Sequence, residues 1–159
     1  MNCAIIYYSY SGNTKKVAWF LKEELKLKGE AELLELKPTD ESRNFFLQCR
    51  RAYKHIQAKL EQTNFDLSGY DLVCLGGPVW AFGPAPAINT WLDKCLNIQG
   101  KSVILFTTYG SGTGNNRCLD YMQKILSEKG AVDFKRFSIQ QSKVKNKEIV
   151  ITKIREILK

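Results

Sequence analysis

Histidine occurs once in the 159-residue chain, at position 55. A Ser-His-Asp triad or a His-ligated metal site therefore has almost nothing to draw on. The five cysteines (Cys3, Cys49, Cys74, Cys95, Cys118) are odd in number and form no C-x-x-C pair. That pattern argues against a disulfide frame and offers no zinc spacing. Four of them stand among apolar residues, as reduced, buried thiols of a cytoplasmic protein would. No apolar run approaches the ~20 residues of a membrane span. The first apolar stretch begins almost at Met1, which leaves no room for a cleavable signal sequence. There is no G-x-x-x-x-G-K-[ST], and no G-x-G-x-x-G follows the first strand, so a P-loop and a dinucleotide-binding fold are disfavoured. Gly110, Gly112 and Gly114 come too late and at the wrong spacing. Acid is also scarce: 16 Asp and Glu stand against 24 Lys and Arg, a net charge of +8. Residues 135–159 alone hold eight Lys/Arg and two Glu. Such a balance suits an acidic partner, or is simply a solvated basic surface. Aromatics interleaved with the cations are not evident, which disfavours nucleic acid.

What is present is alternation. Residues 2–8 read as a buried strand and 14–28 as a helix with Val17, Phe20, Leu21 and Leu25 on one face. Residues 31–36 form a second strand, ended by Pro38. A helix over 43–61 carries the stripe Phe45, Cys49, Ala52, Tyr53, Ile56 and Leu60, with His55 off it. Its basic face is a candidate dock for an acidic partner. Residues 70–75 form a third strand, followed by a loop over 76–84 and a helix opened by Pro84 and Pro86. A strand at 101–108, a helix at 115–129, a strand at 132–139 and a helix at 147–158 complete the chain. Trp19 and Trp91 fall on helices and are expected to pack. Five strand–helix alternations call for an α/β domain, residues 1–159, with a doubly wound parallel sheet and helices on both faces.

In such a sheet, ligands bind outside the carboxyl ends of the strands. Three unusual loops share that end. After the first strand come Ser9, Tyr10, Ser11, Gly12, Asn13 and Thr14: hydroxyls and one glycine leading into a helix N-terminus, where free N–H groups and the helix dipole make a seat for a phosphate ester. The same residues would also serve as ordinary helix caps. After the third strand comes Gly77-Pro78-Val79-Trp80-Ala81-Phe82-Gly83-Pro84. A Trp between two Gly-Pro pairs is poorly placed for core packing and well placed for a ring. After the fourth comes Tyr109, then Gly110, Gly112 and Gly114, whose amides can approach a ligand closely. Two aromatic loops beside a phosphate loop describe a pocket for a flat ring system carrying a phosphate. No side chain is singled out as acid, base or metal ligand.

These motifs resemble the flavodoxin-like family of FMN proteins over the whole chain. Ser9 to Thr14 is similar to the family's [ST]-x-[ST]-G-x-T phosphate loop. Gly77-Pro78-Val79-Trp80 is similar to the second loop, whose Trp flanks one face of the isoalloxazine. Thr107, Thr108, Tyr109, Gly110 and Gly112 fall at the third. The resemblance implies a five-stranded sheet of order 2-1-3-4-5, FMN as cofactor, and contacts from Pro78, Val79, Trp80, Ala81, Phe82 and Gly83. It implies electron transfer between redox partner proteins in the cytoplasm. The alternative it allows is an FMN-dependent NAD(P)H oxidoreductase acting on quinones or similar acceptors, to whose relatives Pro84 to Leu92 is similar. Two departures stand out. Flavodoxins are acidic and this chain is basic, so a docking partner here should be acidic. The peptide after the Trp, which in flavodoxins turns to meet reduced N5, is Ala81-Phe82, and alanine resists positive φ.

Overall fold

The computed structural model describes residues 1–159. The core strands are β1 (Asn2–Tyr7), β2 (Glu30–Glu35), β3 (Leu72–Trp80), β5 (Ser102–Tyr109) and β6 (Asp133–Gln140), with a two-residue β4 (Gly83–Pro84) between β3 and β5. The parallel sheet has the order β2-β1-β3-β5-β6, and β4 pairs antiparallel with the end of β3. Setting β4 aside, this is the 2-1-3-4-5 order. β1, β3 and β5 are near-continuous apolar runs because both their faces are covered.

The helices are α1 (Asn13–Lys26), α2 (Phe45–Tyr53), α3 (Pro86–Lys94), α4 (Asn115–Glu128) and α5 (Lys147–Leu158). Val17, Leu21 and Leu25 of α1 join Val150 and Ile154 of α5 over one face of the sheet. Ile88 and Trp91 of α3 join Leu119, Met122 and Leu126 of α4 over the other. Trp91 is fully buried as expected, whereas Trp19 is 49% exposed, with its ring edge-on to Phe20. No helix is long and apolar enough to cross a membrane. All five cysteines are free, and only Cys49 is not fully buried.

Two elements differ from the sequence reading. The helix expected over 43–61 ends at Tyr53. His55 then takes φ 52° and the chain turns away. The Thr90 side chain holds the segment beyond, accepting from Ala58 N–H at 2.8 Å and donating to Ala58 O at 2.7 Å. Tertiary hydrogen bonds here override helical periodicity. The expected apolar stripe is buried only in part: Ala52 faces inward and Cys49 and Leu60 pack against the core, whereas Phe45, Tyr53 and Ile56 are exposed and the polar Gln48 is buried. The third strand, expected to end at Leu75, runs to Trp80, because its pairing with β5 continues through Gly76, Gly77 and Pro78. Gly76 is there for closeness: a Cβ on it would lie 2.2 Å from the Phe106 ring.

Candidate functional site

The turns after β1, β3 and β5 lie side by side, because β1 pairs with β3 and β3 with β5. The chain leaves β1 for β2 on one side and returns to β3 on the other, so the first two turns flank the switch point of the sheet.

The first turn is a bare helix start. α1 begins on Gly12 at φ 86°, with no side-chain cap. Ser9 Oγ accepts from Lys15 N–H at 3.2 Å, and Asn13 Nδ2 donates to Ser11 Oγ at 3.1 Å. The backbone N–H groups of residues 9–14 make no hydrogen bond within the chain. Successive free amides at the positive end of a helix dipole form an anion-binding concavity. Thr14 is buried, and its hydroxyl is 2.8 Å from that of Thr108. That bond ties α1 to β5 and occupies one hydrogen-bonding position of the Thr14 hydroxyl, while the Thr14 amide stays unpaired. Thr107 is likewise buried, its hydroxyl 2.8 Å from Ser138 Oγ.

The second turn is a two-residue hairpin. Ala81 (φ 46°) and Phe82 (φ 68°) link paired residues Trp80 and Gly83. Positive φ at both central positions is the type I′ arrangement that suits hairpin twist, and it ordinarily selects Asn or Gly. Ala81 and Phe82 hold it under strain, as residues at functional sites often do. Their N–H groups have no partner in the chain. Pro78 and Gly83 are buried in strands, and Val79 is half-buried. The expectation that Trp80 lacks a packing environment is overturned. It is 6% exposed and meets Tyr8, Tyr10 and Phe45 edge-on at 5.7, 5.5 and 5.5 Å. Beneath it the Tyr8 hydroxyl donates to the Glu41 carboxylate. Burial, then that bond, push the Tyr8 phenol well above its ordinary value.

The third turn is glycine-built. Tyr109 is half-buried, and its ring lies 3.6 Å from where a Gly112 Cβ would stand. α4 starts like α1, on an uncapped left-handed glycine, Gly114 at φ 83°. Phe82 reaches over from the hairpin: a Gly114 Cβ would sit 2.4 Å from its Cδ1. Gly110 exposes its amide while its carbonyl accepts from Gln140 Nε2 at 3.2 Å.

Together these turns offer free amides at the mouths of β1, β3 and β5, with half-exposed Tyr10, Phe45 and Phe82 among them. The donor set fits a phosphate ester at the α1 start and the polar edge of a planar ring at the hairpin and glycine turns. Burial raises Cys3, Cys74, Cys95 and Cys118 and holds them as thiols. No group of His, Cys, Asp and Glu is arranged to hold a metal ion. Sequence reasoning missed Phe45 as a site residue. Its helical spacing from Cys49 and Ala52 read as core, and only its ring contacts with Tyr10 and Trp80 show otherwise.

Comparison with known proteins agrees with this geometry. No curated protein matches the chain significantly. Among solved structures, a flavoprotein from Lactobacillus acidophilus NCFM, crystallised in complex with FMN, is 26% identical over 92% of this chain and 98% of that one, with a TM-score of 0.68. A protein from Bacteroides eggerthii DSM 20697 is 17% identical over 99% and 98%, TM-score 0.74. Oxidised flavodoxin 1 from Bacillus cereus is 17% identical over 100% of both chains, TM-score 0.64. A family model described as flavodoxin matches residues 2–153, and the chain belongs to that family.

Proposed function

We propose that the chain, as one domain, binds FMN and passes electrons between redox partner proteins. The observation that carries this reading is the unbroken run of unpaired N–H groups from Ser9 to Thr14, at an uncapped helix start and at the switch point of the sheet. Bound FMN would supply the one- and two-electron chemistry. The chain's own contribution is to bind and orient. The amides of residues 9–14, with the Ser9, Ser11 and Asn13 side chains, hold the phosphate. The Ala81, Phe82, Gly110 and Gly112 amides face the polar edge of the ring. Tyr10, Phe45, Trp80, Phe82 and Tyr109 form an apolar surround that keeps water from the ring, and Pro78, Val79, Gly83, Thr107 and Thr108 fix the turns from inside the sheet. Reduced thiols fit a cytoplasmic setting.

A visible-absorbance titration tests the reading. FMN should bind at least about 100-fold more tightly than riboflavin, since the phosphate adds several charge-assisted hydrogen bonds. Equal affinities, or no binding, would remove the phosphate seat. A second reading, an FMN-dependent NAD(P)H oxidoreductase acting on quinones, draws on a cavity of about 520 Å³ beside Tyr109, lined also by Ser138, Gln140 and Lys143. Sustained NAD(P)H consumption with a quinone acceptor would favour it over the carrier.

A further inference from the structure

Helix α2 is built inside out. Gln48 and Ala52 are its buried residues, and the Gln48 amide is spent on Ser42 O and Arg51. Phe46 is 86% exposed, Tyr53 59% and Phe45 45%. Phe46 and Tyr53 are seven residues apart and share one helix face. Phe45 carries that face into the site, lying 6.0 Å from Tyr10 and 5.5 Å from Trp80. Single exposed apolar residues need no explanation, but a contiguous patch marks an interaction surface.

The rim of the patch is cationic. Arg43, Arg50, Lys54 and Arg117 are exposed and form no salt bridge, whereas Arg51 is held by Asp40 at 2.7 Å. Arg117 lies close enough to His55, just past the end of α2, to lower its pKa after burial does. Aromatic and Arg side chains in a polar surround are the composition of protein interface cores. A second copy of this chain is a poor occupant, because it would bring cations against cations in a molecule of net charge +8. The exposed aromatics that the sequence reading found missing are therefore present. Phe45 and Tyr10 are nevertheless each set edge-on to Trp80 and tilted 36° to one another, and Leu47 and Ile56 add aliphatic surface that a nucleobase does not need.

We propose that this face of α2 docks an acidic protein carrying its own redox centre. Phe46 and Tyr53 are the apolar anchors, and Arg43, Arg50, Lys54 and Arg117 steer the approach. The inference rests on the electron-transfer reading above, whose site it adjoins through Phe45. In each productive encounter one electron leaves the partner's reduced centre, which is oxidised, as the bound FMN is reduced.

The test uses an acidic [2Fe–2S] ferredoxin, fluorescently labelled, as the probe. Its affinity for the FMN-loaded and flavin-free chain is read by anisotropy across salt, and its transfer rate to bound FMN by stopped flow. Phe46→Ser and the double reversal Arg50→Glu/Lys54→Glu should each weaken binding and slow transfer by at least about tenfold at low salt. Lys145→Glu/Lys147→Glu, an equal charge change at the start of α5 on the other face of the sheet, should leave both unchanged. FMN affinity should be the same in all variants. Salt-independent ferredoxin binding, or equal losses in the α2 and distant variants, would overturn the docking surface. So would single-stranded poly(U) binding that is lost in the α2 variants while ferredoxin binding is not. Failure to bind FMN would overturn the electron-transfer reading and the transfer step with it, while the anisotropy arm, which needs no flavin, decides the docking of an acidic partner on its own.

Discussion

Helices α2 and α5 start in one way, α1 and α4 in another. α2 and α5 are capped by side chains: Asn44 Oδ1 accepts from Phe46 N–H at 3.0 Å, and Asn146 Oδ1 from Ile149 N–H at 3.3 Å. α1 and α4 have no side-chain cap, and both begin on glycines in the left-handed region. A side-chain cap is worth about 1 kcal/mol. α3 also lacks one, but it opens on Ala85 with Pro86 in its first turn, where proline has no N–H to leave free; the two open starts on left-handed glycines are those at the mouths of β1 and β5. Stability is spent where donors are left free for a ligand, and conserved where the helix only has to stand.

Substitution at the two cap glycines should separate closeness from backbone freedom. Gly114→Ala places a Cβ 2.4 Å from Phe82. With left-handed strain added, it should destabilise the protein by about 2–4 kcal/mol by urea unfolding. Gly12→Ala meets nothing within 4 Å and should cost only the conformational part, about 1–2 kcal/mol. An acidic cap at α1 should sharpen the contrast further. Ser11→Asp supplies a carboxylate to the free amides, so FMN affinity should fall at least about 100-fold while the flavin-free protein keeps or gains up to about 1 kcal/mol. Asn146→Ala, at a start with no ligand to serve, should cost about 1 kcal/mol and leave FMN titration unchanged.

The smallest effect concerns His55, which stacks on Tyr121 at 4.0 Å between centroids. Burial, then Arg117, lower its pKa from the ordinary 6.5. The unfolded chain therefore takes up the proton first. Stability should be complete above about pH 6.5 and should fall as the pH drops through the lowered folded value. His55→Gln should flatten the melting temperature across that window.

Much of this was legible in the sequence. The run from Asn2 to Tyr7 could only be a covered strand, and the hydroxyl–glycine turn into an amphipathic helix announced α1 and its open start. The boundaries of α5 were readable because Asn146 and the spacing of Val150 and Ile154 agree. Local pattern failed where distant partners decide. Gly76 to Pro78 looked like loop, since nothing nearby reveals that Phe106 needs room above Gly76. The 43–61 segment looked like one helix because the hydrogen bonds that end it come from Thr90. Trp80 was read as a ring without a packing environment, because its neighbours arrive from two distant segments, Tyr8 and Tyr10 from the end of β1 and Phe45 from α2. The bond between the Thr14 and Thr108 hydroxyls had no sign in the sequence, because the two residues lie far apart along the chain.

The placing of the three tryptophans makes the chain an optical instrument. Trp19 is half in solvent, Trp91 is sealed in the core and Trp80 lies under the aromatic surround of the site. Their emission colours should differ, red to blue from water to interior. A flavin at the site absorbs in the range where indoles emit, and it would stand nearest Trp80. One spectrum can thus report surface, core and site at once, with the site's share darkening as flavin enters and the core's share shifting only when the protein unfolds.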